Sequence, residues 1–421
     1  MAQSSDTFDI VVLGAGYGGM SCITRISRLF RGDDNIRIHL VDRHTYHLLE
    51  TRLHERAVRE EEITIPIAQF LQKRPNVAFH LGEVTRIDLD GKYVELDYGE
   101  SLDSEDGGKR LGYDRLVIAL GSKTNFYQIP GLQEHAYQLK ELSDSEQIRE
   151  HTERMFALAA SESNPLKRKE YLRFVIGGGG LTGVELATEM VERFERLCDE
   201  YHISRKEPEM ILVELAERIL PSLPEKQVQK AIDRMLEMGV ILRTGTKVMG
   251  METMKGSMVV KLQPGDPLPT RTVVWTGGIR ISDLVAKSGA ETGSQGRVVV
   301  DEYLQLVRYP GVFAIGDNAL AMNPDTGEAV PTAAQFALQQ GYLTADNLRR
   351  NIKERPLKPY KPKVLGEVIS LGKHLAVGYA ALPFGSTFRF IGFLGSLIKR
   401  AITEKHLFLL WKERQNWTGH W

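Results

Sequence analysis

The sequence predicts an α/β chain made of two strand–glycine-turn–helix–strand units, followed by a basic, aromatic C-terminal region. Three observations predict it. Strand-length apolar runs enter a glycine-rich turn and then a helical pattern twice, near residue 14 and again near residue 178. Each unit closes on an acidic residue at the end of its second strand. The stretch 384–421 differs in charge and aromatic content from everything before it.

Composition narrows the function classes. The chain has 421 residues, with 54 Lys+Arg against 55 Asp+Glu, for a formal net charge of −1. A nucleic-acid binder would usually carry a basic excess, so none is expected as a partner. Hydrophobic residues at 42% and charged residues at 26% fit a folded globular protein. At roughly 150 residues per domain, two or three domains are expected. Two cysteines, Cys22 and Cys198, cannot build a disulfide scaffold or a four-thiolate zinc site. The first basic residue is Arg25, after a strand has already begun, so no secretory signal is expected. No apolar run is long enough for a spanning helix.

The elements follow in order. Phe8–Leu13 reads as a strand, Gly14-Ala15-Gly16-Tyr17-Gly18-Gly19 as a turn, and the pattern through Phe30 as a helix. A second strand from Ile36 ends at Asp42. Gly14 permits the tight turn, Gly16 lets backbone approach a pyrophosphate, and Gly19 allows close helix–strand packing. Asp42 stands where an acid accepts hydrogen bonds from a ribose. The same logic applies to Gly178, Gly180, Gly183 and Glu214, with a long helix to about Cys198 and a loop around Ile203–Glu209. One such turn is weak evidence of nucleotide binding, but two in matching contexts are much stronger. Two dinucleotide sites in one chain suggest a bound flavin beside a nicotinamide site. Tyr113–Ser122 reads as a strand into a small-residue turn. Val312–Ala319 reads as a strand ending in Gly316-Asp317 at a helix start, with Asp317 either a ligand of FAD ribityl or a helix cap. His44, Tyr46, His47 and His54 follow Asp42 without cysteines or paired acids at ligand spacing, so no metal site is expected. The polar stretch Leu102–Gly112 reads as a surface loop or hairpin extension.

These motifs, together with Gly180-Leu181-Thr182-Gly183-Val184-Glu185, Val274-Trp275-Thr276-Gly277-Gly278 and Pro331–Gly341, give the chain a family resemblance. It resembles the two-dinucleotide-binding flavoproteins, and within them the type II NADH:quinone oxidoreductases, over nearly its whole length. The resemblance implies two Rossmann-like dinucleotide-binding domains (FAD and NADH) plus a C-terminal amphipathic membrane-anchoring region. The FAD-binding domain is expected to be split, at residues 1–125 and 285–345. The NADH-binding domain is then 126–284, and 346–421 serves membrane association and dimerisation. Disulfide reductases of the superfamily need a close cysteine pair, which this chain lacks.

The resemblance also assigns residues. Gly277 belongs to the wall on the nicotinamide side. Gln335 and Gln339, at i and i+4 on one helical face, line the place where quinone meets flavin; read alone they are solvated amides. Glu185 is either a residue near nicotinamide and flavin or a stabiliser of its helix N-terminus. Glu189, one turn later on the same face, is a residue supporting the site from behind or a packing residue. Lys399 matches a lysine near the quinone channel, or else it faces lipid headgroups. Glu214 favours NADH over NADPH because it would repel a 2′-phosphate, while Arg218 nearby could accommodate one.

Residues 384–421 carry six Lys/Arg, two acids and eight aromatics. Phe388, Ile391, Leu394, Ile398 and Ile402 recur at roughly helical spacing. That pattern suggests an interfacial helix on the lipid bilayer surface, or a helix packed on the body or at a dimer contact. The expected activity is non-proton-pumping NADH dehydrogenation, with hydride passing from NADH to FAD and electrons to a membrane quinone. The enzyme is expected to be peripheral at the cytoplasmic face of the membrane, as a homodimer. Two rivals stand beside it: a soluble NADH reductase serving a protein carrier, and a slow NAD(H)-sensing flavoprotein.

Overall fold

The computed structural model describes residues 7–99, 109–254, 256–382, 386–393, 395–399 and 401. Two parallel sheets organise them. The first has the strand order 305–306, 309–314, 115–118, 8–13, 36–42, 77–81, and only the edge strand 305–306 is antiparallel. The second runs 137–138, 272–275, 173–177, 209–213, 240–243, all parallel. In each sheet the strand entering a glycine turn is flanked on both sides. Its residues are therefore apolar without alternation: Ile10, Val11, Val12 and Leu13 are all fully buried, as are Val175 and Ile176. Two short antiparallel strands, Lys123–Thr124 and Ile279–Arg280, join the units.

Helix Tyr17–Leu29 leaves the first glycine turn and packs along helix Ala334–Ile352. Glycines set how close they come: a Cβ on Gly341 would lie 2.2 Å from the Gly18 carbonyl oxygen. Helix Leu181–Tyr201 leaves the second turn, and its inner face joins a core that also holds Phe156, Phe174 and Phe194. Among the described residues three three-stranded antiparallel sheets are appended, the last formed by Gly366–Ser370, Ala376–Ala381 and Thr387–Gly392.

Three expectations are corrected. Phe388 and Ile391 lie on the strand Thr387–Gly392, and helix begins only at 393. The run Thr-Phe-Arg-Phe-Ile is β-branched and aromatic, and the neighbouring strand Ala376–Ala381 offers it a ladder, so pairing wins over helical spacing. Gly316–Asn318 is a single 3₁₀ turn leading into a strand, so no helix starts at Asp317. Glu185 is the fifth residue of its helix, past the first turn, where stabilisation of the N-terminus fades. Within the polar stretch, Lys109–Gly112 forms a strand against Tyr93–Asp97. The tail positions Leu394 and Ile402, Leu407–Trp411 and Lys412–Trp421 lie outside the described residues.

Candidate active site

Each glycine turn is built the same way. Gly14 has φ +99° and Gly178 has φ +116°, values that L side chains resist. A Cβ on Gly19 would sit 1.8 Å from the Gly14 carbonyl oxygen, and one on Gly183 would sit 1.9 Å from that of Gly178. A Cβ on Gly16 or Gly180 would meet nothing within 4 Å. The middle glycine therefore borders open space, and the helix behind it has no side-chain cap and no acid in its first turn. An uncapped helix start facing an open cradle fits a pyrophosphate.

The two acids repeat one another as well. Asp42 accepts hydrogen bonds from the backbone N–H of Ala15 at 2.6 Å and of His44 at 2.8 Å. Glu214 accepts from Gly179 at 2.6 Å and Ala216 at 2.8 Å. Each acid thus ties its own strand end to the glycine turn, and a carboxylate has lone pairs left for a ribose. Burial pushes the Asp42 carboxyl above its ordinary range, opposed by those two backbone bonds. Arg218 is held by the Leu223 carbonyl of its own loop and by Glu225, at the start of the following helix, at 3.2 Å.

Beyond the second turn, Thr276 Oγ1 donates to the carbonyls of Gly177 and Gly178. Gly277 lies against the Trp275 ring, where a Cβ would come within 2.5 Å. Beside the first cleft, Asp317 Oδ2 accepts from Ser122 Oγ at 2.6 Å. Asn318 exchanges two hydrogen bonds with the Gly121 backbone, so the 316–318 turn is clamped to the exit of strand Arg115–Ile118. Lys140 Nζ lies 3.0 Å from Glu50 and 3.9 Å from Asp317. Gln340, fully buried, accepts from the Gly316 N–H at 2.7 Å.

A second polar centre assembles from four segments. Lys399 Nζ donates to Glu185 Oε1 at 2.6 Å and to Ser370 Oγ at 2.8 Å. Ser370 N–H also donates to Glu185 Oε1, at 3.0 Å. His54 Nδ1 lies 3.5 Å from Glu185 Oε2, and His54 Nε2 lies 3.5 Å from Lys399 Nζ. Burial raises the Glu185 carboxyl, but His54, Lys399 and the Ser370 N–H outweigh it and leave it below its ordinary value. Burial drives His54 down to about 4, so at neutral pH the imidazole is uncharged and Lys399 supplies the positive charge. Residues 50–54 connect this centre to the first cleft: Glu50 pairs with Lys140, Thr51 shares a 2.9 Å hydrogen bond with Tyr17 on the first helix, and His54 faces Glu185. Glu189, one turn beyond Glu185, pairs with Arg59 at 2.5 Å.

Gln335 and Gln339 point to one side of their helix and hold a neighbouring segment. Gln335 accepts from Leu365 N–H at 2.9 Å and donates to the Gly366 carbonyl at 3.2 Å. Gln339 makes the equivalent pair with Lys363, at 2.9 and 2.8 Å. Among the described residues no cluster of three His, Cys, Asp or Glu has metal-binding geometry.

Residues 8–341 match the model of the pyridine nucleotide-disulphide oxidoreductase family. The type II NADH:quinone oxidoreductase of Staphylococcus saprophyticus is 31% identical over 381 residues, 90% of each chain. That of Staphylococcus aureus is 30% identical over 411 residues, 97% of this chain and 96% of its own. The chain belongs to the type II NADH:quinone oxidoreductases. In fold it matches NDH2 from Plasmodium falciparum in complex with NADH, with a TM-score of 0.81 over 97% of this chain and 96% of that one, at 19% identity. The sulfide:quinone oxidoreductase of Aquifex aeolicus has the same fold, with a TM-score of 0.75 and 20% identity over 97% and 92% of the two chains.

Sequence reasoning missed several residues that the fold brings to these two clefts. His54, Ser370, Lys140, Asn318 and Gln340 meet the site only through long-range folding. His54 had a weak signal, a histidine in a cluster after Asp42, and Gln340 closes the same glutamine-rich segment as Gln335 and Gln339. Asn318 lies inside the Val312–Ala319 segment beside Asp317, and Ser370 and Lys140 carried no signal.

Proposed function

We propose that the chain oxidises NADH and passes its two electrons by way of FAD to a membrane quinone, without pumping protons. One observation carries the reading: the Lys399–Glu185 pair, a proton donor held by a buried carboxylate, reaches the FAD-side cleft through residues 50–54. Bound FAD supplies two-electron transfer chemistry between nicotinamide and quinone. The chain supplies the rest. The turns at Gly14–Gly19 and Gly178–Gly183 bind the two dinucleotides, with Asp42 and Glu214 at their riboses and Asp317 at the ribityl chain. Gly277 and Thr276 form the wall on the nicotinamide side and exclude water. The tie of Arg218 to Leu223 and Glu225 supports NADH over NADPH, because that guanidinium is turned to its own loop and the helix after it. Lys399 offers its proton to a quinone oxygen, and Glu185 stabilises the ammonium beforehand. Gln335 and Gln339 set the 363–366 segment that borders the quinone approach.

We assign the quinone entry to the C-terminal side, next to the strand Thr387–Gly392. Phe388, Ile391, Phe393 and Leu397 are exposed there, and the region from 384 onward is basic. These features support peripheral attachment to the bilayer surface; we assign it to the cytoplasmic face, and the same region to a homodimer contact. Among the described residues no helix is long and apolar enough to cross a membrane.

Stopped-flow mixing tests the reading. NADH is expected to bleach the flavin band, and a short-chain quinone to restore it within the turnover time. Bleaching without recovery would move the acceptor to a protein carrier. A slow bleach would favour an NAD(H) sensor. Truncation after residue 401 keeps Lys399 and the exposed Phe388, Ile391, Phe393 and Leu397, and is expected to weaken co-sedimentation with anionic vesicles while leaving the bleach intact.

A further inference from the structure

Oxidising NADH with a quinone consumes one proton from water: NADH, quinone and H⁺ give NAD⁺ and quinol. Two electrons and one proton originate in the nicotinamide, and the second proton must reach the quinone from solvent. Glu185 is buried, while Lys399 keeps 19% of its side chain exposed, so it is the carboxylate that needs a path through its polar neighbours.

From the polar chain behind them, we propose that His54 relays this proton from a surface groove to the Glu185–Lys399 pair. The proposal rests on the quinone reading above. The groove holds about 470 Å³ and is lined by Arg59, Glu189, Glu192, Glu195, Lys373 and His374. Arg59 bonds Glu189 at 2.5 Å and lies 3.9 Å from Glu55 Oε2. The other Glu55 oxygen lies 3.9 Å from His54 Nε2, a gap that one water or a small side-chain shift closes. His54 then presents Nδ1 to Glu185 Oε2 at 3.5 Å. Nε2 thus faces Glu55 on the groove side, with Lys399 Nζ also 3.5 Å from it, and Nδ1 faces the buried carboxylate.

The atoms balance in three transfers. Lys399 gives an ammonium proton to the quinone oxygen as the electron pair arrives. His54 Nε2 takes up a proton as its Nδ1–H passes to Glu185 Oε2, so the ring stays neutral, and a turn of the protonated carboxyl brings that proton to the Lys399 amine, which lies 2.6 Å from Oε1. The solvent proton reaches His54 Nε2 through water beside Glu55, past the Arg59–Glu189 pair that lines the groove, and rotation or exchange then restores the Nδ1–H tautomer. The groups facing the imidazole are Glu185, Lys399, Glu55 and Arg59. A neutral imidazole suits this role because it both accepts and donates, and its charge does not compete with Lys399 for Glu185.

The test separates proton supply from electron supply. His54→Phe holoenzyme is expected to bleach with NADH at the wild-type rate and to reduce ferricyanide, an acceptor that takes up no proton, unchanged. Its reoxidation by a short-chain quinone is expected to slow by about 100-fold, with an enlarged solvent deuterium isotope effect. His54→Gln, which keeps a polar side chain but cannot take up a proton, is expected to follow His54→Phe, and it reads the same ratio if the phenylalanine variant does not fold. Nitrogen NMR of the histidine-labelled protein is a second readout. His54 is expected to stay neutral between about pH 6 and pH 8, with its proton on Nδ1, and Lys399→Met is expected to move the Nε2 resonance. Unchanged quinone reoxidation would overturn the relay, as would equal slowing with quinone and ferricyanide, or a His54 that titrates in that range. If wild-type protein bleaches but quinone does not restore it, the quinone reading itself fails, a separate result.

Discussion

Lys399 and Glu185 are unequal partners. Glu185 is 8% exposed and receives hydrogen bonds from Lys399 and from both Ser370 donors. Lys399 keeps 19% of its side chain in contact with solvent. Removing the cation strands a buried carboxylate, whereas a glutamine at position 185 still accepts from Ser370 and leaves an ammonium that can turn to water. Lys399→Met is therefore expected to destabilise the chain by about 3 kcal/mol, the low end for breaking a buried pair, and Glu185→Gln by about 1 kcal/mol. Thermal melts of the two variants side by side check the order. If Glu185→Gln proved the more damaging, Lys399 would not be what holds the carboxylate charged.

At the scale of elements, the glycine turns separate a folding requirement from a binding one. Gly19→Ala drives a Cβ into the Gly14 carbonyl and forces helix Tyr17–Leu29 away from its strand, an overpacking that costs about 1–3 kcal/mol. Gly16→Ala meets no protein atom within 4 Å. It is expected to melt like the wild-type apoprotein and to bind FAD weakly, because the methyl occupies the room a pyrophosphate needs. Apoprotein melting with flavin titration distinguishes the two. The same contrast explains what was legible beforehand. Both turns are local, so spacing alone exposed Gly14, Gly16, Gly19, Gly178, Gly180 and Gly183. The Glu185 centre draws on positions 54, 185, 370 and 399, and only folding brings them together. Nothing near Ser370 in sequence marks it as a hydrogen-bond donor to Glu185. The strand Thr387–Gly392 was misread because the spacing of Phe388 and Ile391 fits a helix, while its pairing partner Ala376–Ala381 has to be placed before the alternation decides.

Across the whole molecule, three neutral histidines couple stability to acidity. His47 is bonded to the Ala15 carbonyl in the first glycine turn, His54 sits at the Glu185 centre, and His151 bonds Thr272 in the second sheet. Burial pushes each from 6.5 down to about 4, so all three are uncharged in the folded chain at neutral pH. Between those values the unfolded chain binds more protons than the folded one, so stability rises with pH through that window and falls on acidification. The depressed carboxyls of Glu185 and Glu55 add a loss at lower pH, as the pH falls through their folded values. At pH 5 each histidine is expected to cost on the order of 2 kcal/mol relative to pH 7. Because the three lie in the first unit, at the centre between units, and in the second, acid loosens the molecule everywhere rather than at one weak domain. Denaturant titrations at pH 7 and pH 5 measure the drop, and His151→Gln is expected to remove about a third of it. An equal unfolding free energy at both pH values would mean that these imidazoles are not held neutral, and would take with it the uncharged His54 on which the relay depends.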